Sequence, residues 1–360
     1  MRSDRRPWTR TRVALAVAVL VVLFGAVADL IVPRPAPAPP KPGPPHGPLT
    51  IVSLGDSTLS GEGTGDYTTA TNGQGGDWCH RSPNAEIEHT QVAGVVRTIN
   101  LACSGASTAQ VGPGDARQYG EPSQTEQLAA LARHDRVMAV VVAVGANDDP
   151  HFAQLLNSCV EAWAKRGSCS AGFEPQWQHR INAMVPKVTK LLGEIRAAMA
   201  AVHYAPGTYQ LVLQSYAAPV GPNAVGDLLS LAGCPFRPVD LNWVRNTAIH
   251  ALDDGLREAA DKAKARYLDL ADAGLGHEAC SGGRNPRNEW FTRLTVAWQD
   301  ITNRQRVGHA LQASFHPNAR GAAAFADCLG QFLATTDRAA ACLAGPGGEL
   351  HPAAIVTATG

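Results

Sequence analysis

The sequence predicts an α/β fold in which a central, mostly parallel, five-stranded sheet is covered by helices on both faces. Short apolar runs typical of strands alternate along the chain with longer amphipathic stretches typical of helices, which is the element order of parallel α/β proteins. The run RVMAVVVAVG at residues 136–145 is continuously apolar and rich in valine. Such a run is expected for a central strand that is buried on both faces.

Five segments have the composition of strands, and four have apolar residues at helical spacing. The predicted strands are residues 49–55, 95–103, 136–145, 209–217 and 265–272. The predicted helices are residues 123–134, 184–202, 240–265 and 317–335, and Pro186 is tolerable if it lies in a first turn. The polar segments 60–94, 220–240 and 274–312 should form loops at the rim of the sheet, where ligand sites usually lie.

The chain begins with the features of an export signal. Residues 1–12 carry five arginines against one aspartate and precede the apolar run at 13–32. This pattern predicts that residues 1–12 stay in the cytoplasm while the rest is exported. The Ala-Val-Ala sequence at 26–28 suits cleavage of a signal peptide, whereas the uncleaved run would be a membrane anchor. The mature domain is therefore expected to be secreted or anchored to the cell membrane.

A proline-rich linker follows the apolar run and defines the start of the folded domain. Residues 33–48 contain nine prolines, so this segment should run as a semi-rigid polyproline spacer. One folded domain is expected over residues 49–345, with a flexible tail over 346–360. Basic and acidic residues balance at 31 each, so there is no basic excess to favour a nucleic-acid partner.

All eight cysteines lie in the expected domain. None forms a C-x-x-C pair or the Cys/His spacing of a zinc finger, so disulfides are expected rather than a metal site. Many connectivities are possible. We expect sequential pairing, that is Cys79–Cys103, Cys159–Cys169, Cys234–Cys280 and Cys328–Cys342.

Four short segments bring the residue types of acyl transfer to one edge of the predicted sheet. Ser57 in GDSTLSGEG, Gly105 in NLACSGAST and Asn147 in GANDDP follow the first three strands, and His316 in SFHPNARG precedes the last helix. A serine needs a base to become a nucleophile. A tetrahedral oxyanion needs preorganised hydrogen-bond donors.

In this order the segments resemble the SGNH/GDSL hydrolase family, over most of residues 48–335. The resemblance implies a three-layer α/β/α sandwich and no metal or organic cofactor. It implies that Ser57 is the nucleophile and that His316 is the general base and then the general acid. The backbone N–H groups of Ser57 and Gly105 and the side chain of Asn147 would form the oxyanion hole.

The sequence departs from the family at one position. Most members carry an aspartate three residues before the histidine, where this chain has Ala313. This resembles the secreted actinobacterial esterase/lipase branch, with several disulfides and a Ser–His dyad held by a main-chain carbonyl. The carbonyl of Ala313 is assigned to orient His316, and Asp300 or Asp272 would replace it if a loop brought one of them in.

Each of these residues also has a simpler interpretation. Ser57 could only cap a helix, Asn147 could close an Asx-turn, and Gly105 could serve only the geometry of a turn. Asp56 is expected to be a structural turn residue. The other histidines, including His309, are expected at the surface. Trp290, Phe291 and Trp298 are candidates for either a substrate cleft or the core.

The sequence thus predicts an exported serine esterase or lipase. Its substrate would be a small acyl ester, a lipid or an acylated glycan. An acyltransferase would use the same residues with another acceptor. A catalytically silent, carbohydrate-binding surface domain is the alternative from another class, favoured only by Ala313.

Overall fold

A seven-stranded sheet forms the centre of the computed structural model, which describes residues 47–283, 285–301 and 306–355. The predicted export segment and nearly all of the linker lie outside the described residues. The strands are β1 (Leu49–Gly55), β2 (Arg97–Asn100), β3 (Arg136–Ala143), β4 (Gln210–Gln214), β5 (Arg266–Asp269), β6 (Ala339–Ala344) and β7 (Leu350–Ala354). Their order is β2-β1-β3-β4-β5-β6-β7. All neighbours are parallel except β6 and β7.

Helices cover this sheet in layers. They are α1 (Ser57–Ser60), α2 (Glu86–His89), α3 (Thr108–Val111), α4 (Gln124–Leu131), α5 (Phe152–Ala164), α6 (Ser170–Ala201), α7 (Pro238–Trp243), α8 (Ile249–Ala263), α9 (Trp298–Ile301) and α10 (Ala319–Leu333). Helix α6 packs between α4 and α8, whereas α2 packs on α10. The expected α/β sandwich is confirmed.

The sheet differs from the prediction in its strand count. The predicted sheet had five strands, but β6 and β7 extend it to seven. Strand β6, with the sequence AAACLA, lacks the β-branched and aromatic residues that mark strands. The expected tail contains β7, because Leu350 is buried and the strand pairs with β6.

Besides several helices of four residues that were not predicted, two of the longer helices differ from the prediction. Helix α6 begins at Ser170 rather than near residue 184, so Pro186 lies in its interior and not in its first turn. Helix α5 had not been predicted. Among the described residues, no helix has both the length and the apolar character to cross a bilayer.

Four disulfides join elements around the sheet, in the sequential pairing expected from the sequence. They are Cys79–Cys103, Cys159–Cys169, Cys234–Cys280 and Cys328–Cys342, and together they use all eight cysteines. Such a density of disulfides indicates that the domain resides in an oxidising compartment, outside the cytoplasm.

The end of β1 is held firmly, and this end positions the first motif. Gly55 is paired with Ala143 in the neighbouring strand. A Cβ on Gly55 would lie 1.9 Å from the carbonyl oxygen of Ala143, and its φ is 137°. The side chain of Gln124 clamps both backbone groups of Gly55, at 2.6 and 2.8 Å. Only glycine fits this close approach.

Candidate active site

Ser57 lies at the carboxyl end of β1, as the first residue of α1. The preceding residue, Asp56, is the N-cap, and its side chain accepts a hydrogen bond from the backbone N–H of Thr58 at 3.1 Å. The backbone N–H of Asp56 donates to the carbonyl of Ala143 at 3.0 Å. The turn between strand and helix therefore presents Ser57 at the edge of the sheet.

His316 reaches Ser57 from the loop before α10. Its Nε2 lies 2.8 Å from the Oγ of Ser57, and its Nδ1 lies 3.1 Å from the carbonyl oxygen of Ser314. A carbonyl can only accept, so Nδ1 carries the proton and Nε2 is free to accept one from the serine hydroxyl. Nearby, Asn318 caps α10.

The acceptor for His316 is Ser314, so the assignment of this role to Ala313 was wrong. The chain turns at Phe315, whose φ is 59°, and the turn presents the carbonyl of Ser314 to the ring. The carbonyl of Ala313 instead accepts from the hydroxyl of Thr292 at 2.6 Å.

The two alternative carboxylates have other partners. Asp300 accepts from Arg306 at 2.6 Å. Asp272 lies 2.8 Å from Arg245 and 3.5 Å from His250. Neither aspartate contacts His316 among the described residues.

Gly105 and Asn147 line the same cavity as Ser57 and His316. The side-chain amide of Asn147 donates one hydrogen bond to the carbonyl of Ala106, at 3.1 Å, and keeps a second N–H. Gly105 has a φ of 82°, and its backbone N–H has no hydrogen-bond partner among the described residues. Unpartnered donors next to a nucleophile have the chemistry of an oxyanion hole.

Burial changes the pKa values of two groups beside Ser57. It lowers the pKa of His316, while the charge of Glu62 and the carbonyl of Ser314 act in the opposite direction. The net lowering favours the neutral imidazole, which a general base requires. Burial raises the pKa of Asp56 to about 7, although hydrogen bonds from Tyr216 and Thr58 oppose this.

Tyr216 connects Asp56 to the segment that carries Asn147. Its hydroxyl donates to Asp56 at 2.6 Å and accepts from the backbone N–H of Ala146 at 3.4 Å. Asp56 is therefore a structural residue of the turn, as the sequence suggested.

The cavity has a volume of about 300 Å³. Its lining includes the apolar side chains Phe152, Leu156, Pro219, Phe291, Phe315 and Phe325, together with Tyr119, His309 and Gln312. Phe291 is thus a lining residue. Trp290 packs against Phe325, and Trp298 is exposed on α9.

Several polar residues next to the site have no recognisable signal in the sequence. Glu62, His80, Ser104 and Gln312 form a hydrogen-bonded group, of which Ser104 and Gln312 line the cavity. His309, expected at the surface, stacks on Trp78 with the ring centroids 4.0 Å apart. Only Glu62 and Ser104 lie within the motifs GDSTLSGEG and NLACSGAST, and there nothing distinguishes them from ordinary loop residues.

One cluster among the described residues has the donor types of a metal site. It comprises Asp77, Cys79 and Glu121. Cys79 is bound in a disulfide, and Glu121 pairs with Arg81 at 2.6 Å. This donor set does not fit a metal ion, because a disulfide sulfur is not a thiolate ligand.

A model of the GDSL-like Lipase/Acylhydrolase family matches residues 53–324, a span that contains Ser57, Gly105, Asn147 and His316. The chain belongs to the GDSL-like lipase/acylhydrolase family. This GDSL-like hydrolase is a carboxylic ester hydrolase, a serine esterase or lipase. Reaction through an acyl-enzyme is general to its family.

The GDSL-like hydrolase is also similar to one curated relative and to several solved structures. It is 26% identical over 280 residues to Lipase 2 of Streptomyces coelicolor, covering 76% of this chain and 82% of the relative. Two solved structures are similar over 76% of this chain and 94% of theirs. They are an extracellular lipase from Streptomyces rimosus (20% identity, TM-score 0.49) and phospholipase A1 from Streptomyces albidoflavus NA297 (25% identity, TM-score 0.46).

Proposed function

We propose that Ser57 and His316 form the catalytic dyad of this ester hydrolase. The Ser57 Oγ attacks the ester carbonyl carbon while His316 Nε2 takes the hydroxyl proton. The carbonyl oxygen becomes an oxyanion, which the N–H groups of Ser57, Gly105 and Asn147 stabilise. When the intermediate collapses, the C–O bond to the alcohol breaks and His316 gives its proton to the leaving alcohol.

The acyl group then remains on Ser57 until water removes it. His316 takes a proton from the attacking water, whose oxygen bonds to the acyl carbon. The second tetrahedral intermediate releases the carboxylic acid, and the proton returns to the serine oxygen. The contact of 2.8 Å between Nε2 and Oγ is the observation that carries this proposal.

The substrate we propose is an ester with an acyl chain longer than acetyl. Apolar side chains line the cavity that contains Ser57, among them Phe152 and Leu156 of α5. Apolar side chains in a cavity of about 300 Å³ gain affinity from each methylene that they remove from water, about 0.8 kcal/mol. An acetyl group would leave most of these side chains uncovered.

Hydrolysis of p-nitrophenyl esters from acetyl to palmitoyl tests both parts. The full chain, produced in an oxidising compartment, is compared with Ser57→Ala and with Ser230→Ala, a serine outside the cavity. We expect kcat/KM to rise from acetyl towards longer chains and activity to vanish only in Ser57→Ala. Turnover that persists in Ser57→Ala would refute the nucleophile, and a maximum at acetyl would refute the substrate class.

We further propose that residues 13–32 export the domain, which then acts on envelope or extracellular esters. The basic flank, the apolar run and the disulfides of the domain support this. N-terminal sequencing of the exported protein separates release from anchoring. A new N-terminus after residue 28 means cleavage, and an intact one in the membrane fraction means an anchor.

A further inference from the structure

The proposed dyad lacks a negative charge at the usual place. Ser314 offers His316 a carbonyl, which orients the ring but carries no formal charge, and the family position of the aspartate is Ala313. An imidazolium forms during each proton transfer from Ser57. In serine hydrolases a buried carboxylate normally stabilises that cation.

A fully buried carboxylate, Glu62, lies one turn beyond Ser57. Its oxygens are surrounded by donors from four residues. These are the hydroxyl of Tyr67 at 2.9 Å, Nδ1 of His80 at 2.8 and 3.0 Å, Oγ of Ser104 at 2.8 Å and Nε2 of Gln312 at 2.8 Å. Such full satisfaction allows a buried carboxylate to stay ionised.

Glu62 belongs to the segment that carries Ser57, and its contacts link it to the segments of Gly105 and His316 but not to that of Asn147. Ser104 immediately precedes Gly105. Gln312 belongs to the loop that carries His316, and it also accepts from Nδ1 of His309 at 2.6 Å. The neighbour of Glu62, Gly63, packs so closely on His316 that a Cβ there would lie 2.8 Å from the histidine Cβ.

The charge of Glu62 acts on His316 through a buried region. Burial alone would raise the pKa of Glu62, but the hydrogen bond and charge of His80, with the charge of His316 and the hydroxyl of Ser104, hold it below the ordinary value. In return, Glu62 raises the pKa of His316 against burial. Water screens such an interaction weakly when both groups are buried.

We propose that Glu62 is a positioning residue that replaces the missing aspartate, its charge stabilising protonated His316 and its bond to Gln312 fixing the histidine loop. It touches neither the substrate nor the reacting atoms. The inference rests on the proposed roles of Ser57 and His316. Four other titratable groups lie around the pair, namely Asp56, Tyr67, His80 and His309, and two of them, Tyr67 and His80, are hydrogen-bonded to Glu62 itself.

The test measures kcat and KM against pH for the full chain, with p-nitrophenyl butanoate followed at the isosbestic wavelength of p-nitrophenol. Glu62→Gln removes the charge at nearly constant volume. Without the anion, protonation of His316 becomes less favourable. The acid limb of the profile, that is the fall of kcat/KM at low pH, should therefore move to lower pH. We expect kcat to fall about 10- to 100-fold, part of the usual contribution of acid–base catalysis.

Two further variants separate charge from packing. Glu62→Asp keeps the charge, so its acid limb should stay near that of the wild type even if kcat falls. Glu86→Gln is the matched control, because burial raises the pKa of Glu86 to about 8 and the substitution removes no charge at neutral pH. It should leave kcat and the acid limb unchanged.

An unmoved acid limb in folded Glu62→Gln, or wild-type kcat in that variant, would overturn the inference. If Glu62→Gln does not fold, the variant Gln312→Met tests the hydrogen bond between Gln312 and Glu62 instead. A fall in kcat with an unmoved acid limb of the pH profile supports the role of that bond in fixing the histidine loop. Wild-type kcat refutes it. Wild-type turnover and its loss in Ser57→Ala test the proposed function separately, because neither depends on Glu62.

Discussion

Asn147 is the proposed side-chain donor of the oxyanion hole, and hydrogen bonds hold both its amide and the residue before it. One N–H of the amide is held by the carbonyl of Ala106. The backbone N–H of the preceding residue, Ala146, is held by Tyr216. A donor fixed in this way needs no reorganisation when charge develops on the substrate oxygen, which is why such groups contribute strongly to catalysis.

Asn147→Ala should lower kcat by about 10²- to 10³-fold with a much smaller change in KM, because the donor acts mainly in the transition state. The control is Asn157→Ala, which also removes an amide from the cavity lining. Its kcat should change little. Steady-state kinetics on one ester checks both variants, and equal losses in the two would contradict the assignment of Asn147.

Among single residues, the sequence pointed to those that belong to motifs. It missed those whose part in the site depends on contacts between segments distant in sequence. Ser57, Gly105 and Asn147 each follow a strand that could be recognised, so their convergence followed from topology. The acceptor for His316 depends on the backbone turn at Phe315, which no side-chain pattern encodes. Glu62 gains three of its four partners, His80, Ser104 and Gln312, only when segments distant in sequence fold against it.

Among the elements, the turn between α1 and Tyr67 packs directly against His316 of the proposed dyad. Helix α1 ends at Ser60 with Gly61 as its C-cap, and in the chain that follows Gly63 and Gly65 both have positive φ, 86° and 74°. A Cβ on Gly63 would meet the Cβ of His316 at 2.8 Å and the carbonyl of Pro317 at 2.9 Å. At Gly65 nothing lies within 4 Å.

Gly63→Ala should therefore displace His316 from Ser57 and lower kcat by about 10²-fold, the usual effect of an ångström of misplacement. Gly65→Ala has the same unfavourable φ but meets no atom, so it should lower stability without lowering kcat. Measuring kcat and melting temperature for both separates the two effects. Equal kcat values for the two variants would show that the contact with His316 does not matter.

The elements predicted correctly are those whose composition reflects burial in the sheet. Strands β1 and β3 are buried along nearly their whole length, and their valine-rich or continuously apolar runs marked them. Strands β6 and β7 were missed because alanine dominates β6 and Pro352 interrupts β7, which is an edge strand. Proline is tolerated there because an edge strand leaves some N–H positions unpaired.

For the whole molecule, buried carboxyl groups make stability depend on pH in two directions. Burial raises the pKa of Asp56 to about 7 and of Glu86 and Asp253 to about 8. Hydrogen bonds and charges lower the pKa of Glu62 and Glu121 despite burial. The groups with a raised pKa stabilise the fold in acid, where they are protonated. The groups with a lowered pKa stabilise the fold once they are ionised.

The sign of each contribution follows from proton linkage. A group with a raised pKa binds its proton more tightly in the folded state, so its stabilisation is complete below the unfolded value, 3.8 for Asp56 and 4.5 for Glu86. That stabilisation is lost as the pH rises through the folded value. Glu62 and Glu121 act oppositely, and their contribution is lost as the pH falls below 4.5. Stability should therefore be greatest near pH 5 and decline towards pH 8.

Glu86→Gln tests this balance, because Glu86 on α2 is fully buried with Gln214 as its hydrogen-bond partner at 2.8 Å. At pH 5 the wild-type carboxyl is protonated, and the variant should melt at nearly the same temperature. Between pH 5 and pH 8 the folding wild type must take up a proton that its unfolded chain has lost, so at pH 8 the variant should be more stable by about 3 to 4 kcal/mol, or several degrees. Calorimetry from pH 5 to 8, with exposed Glu88→Gln on the same helix as control, measures the difference. Parallel melting curves for Glu86→Gln and the wild type across this range would mean that Glu86 does not take up its proton on folding.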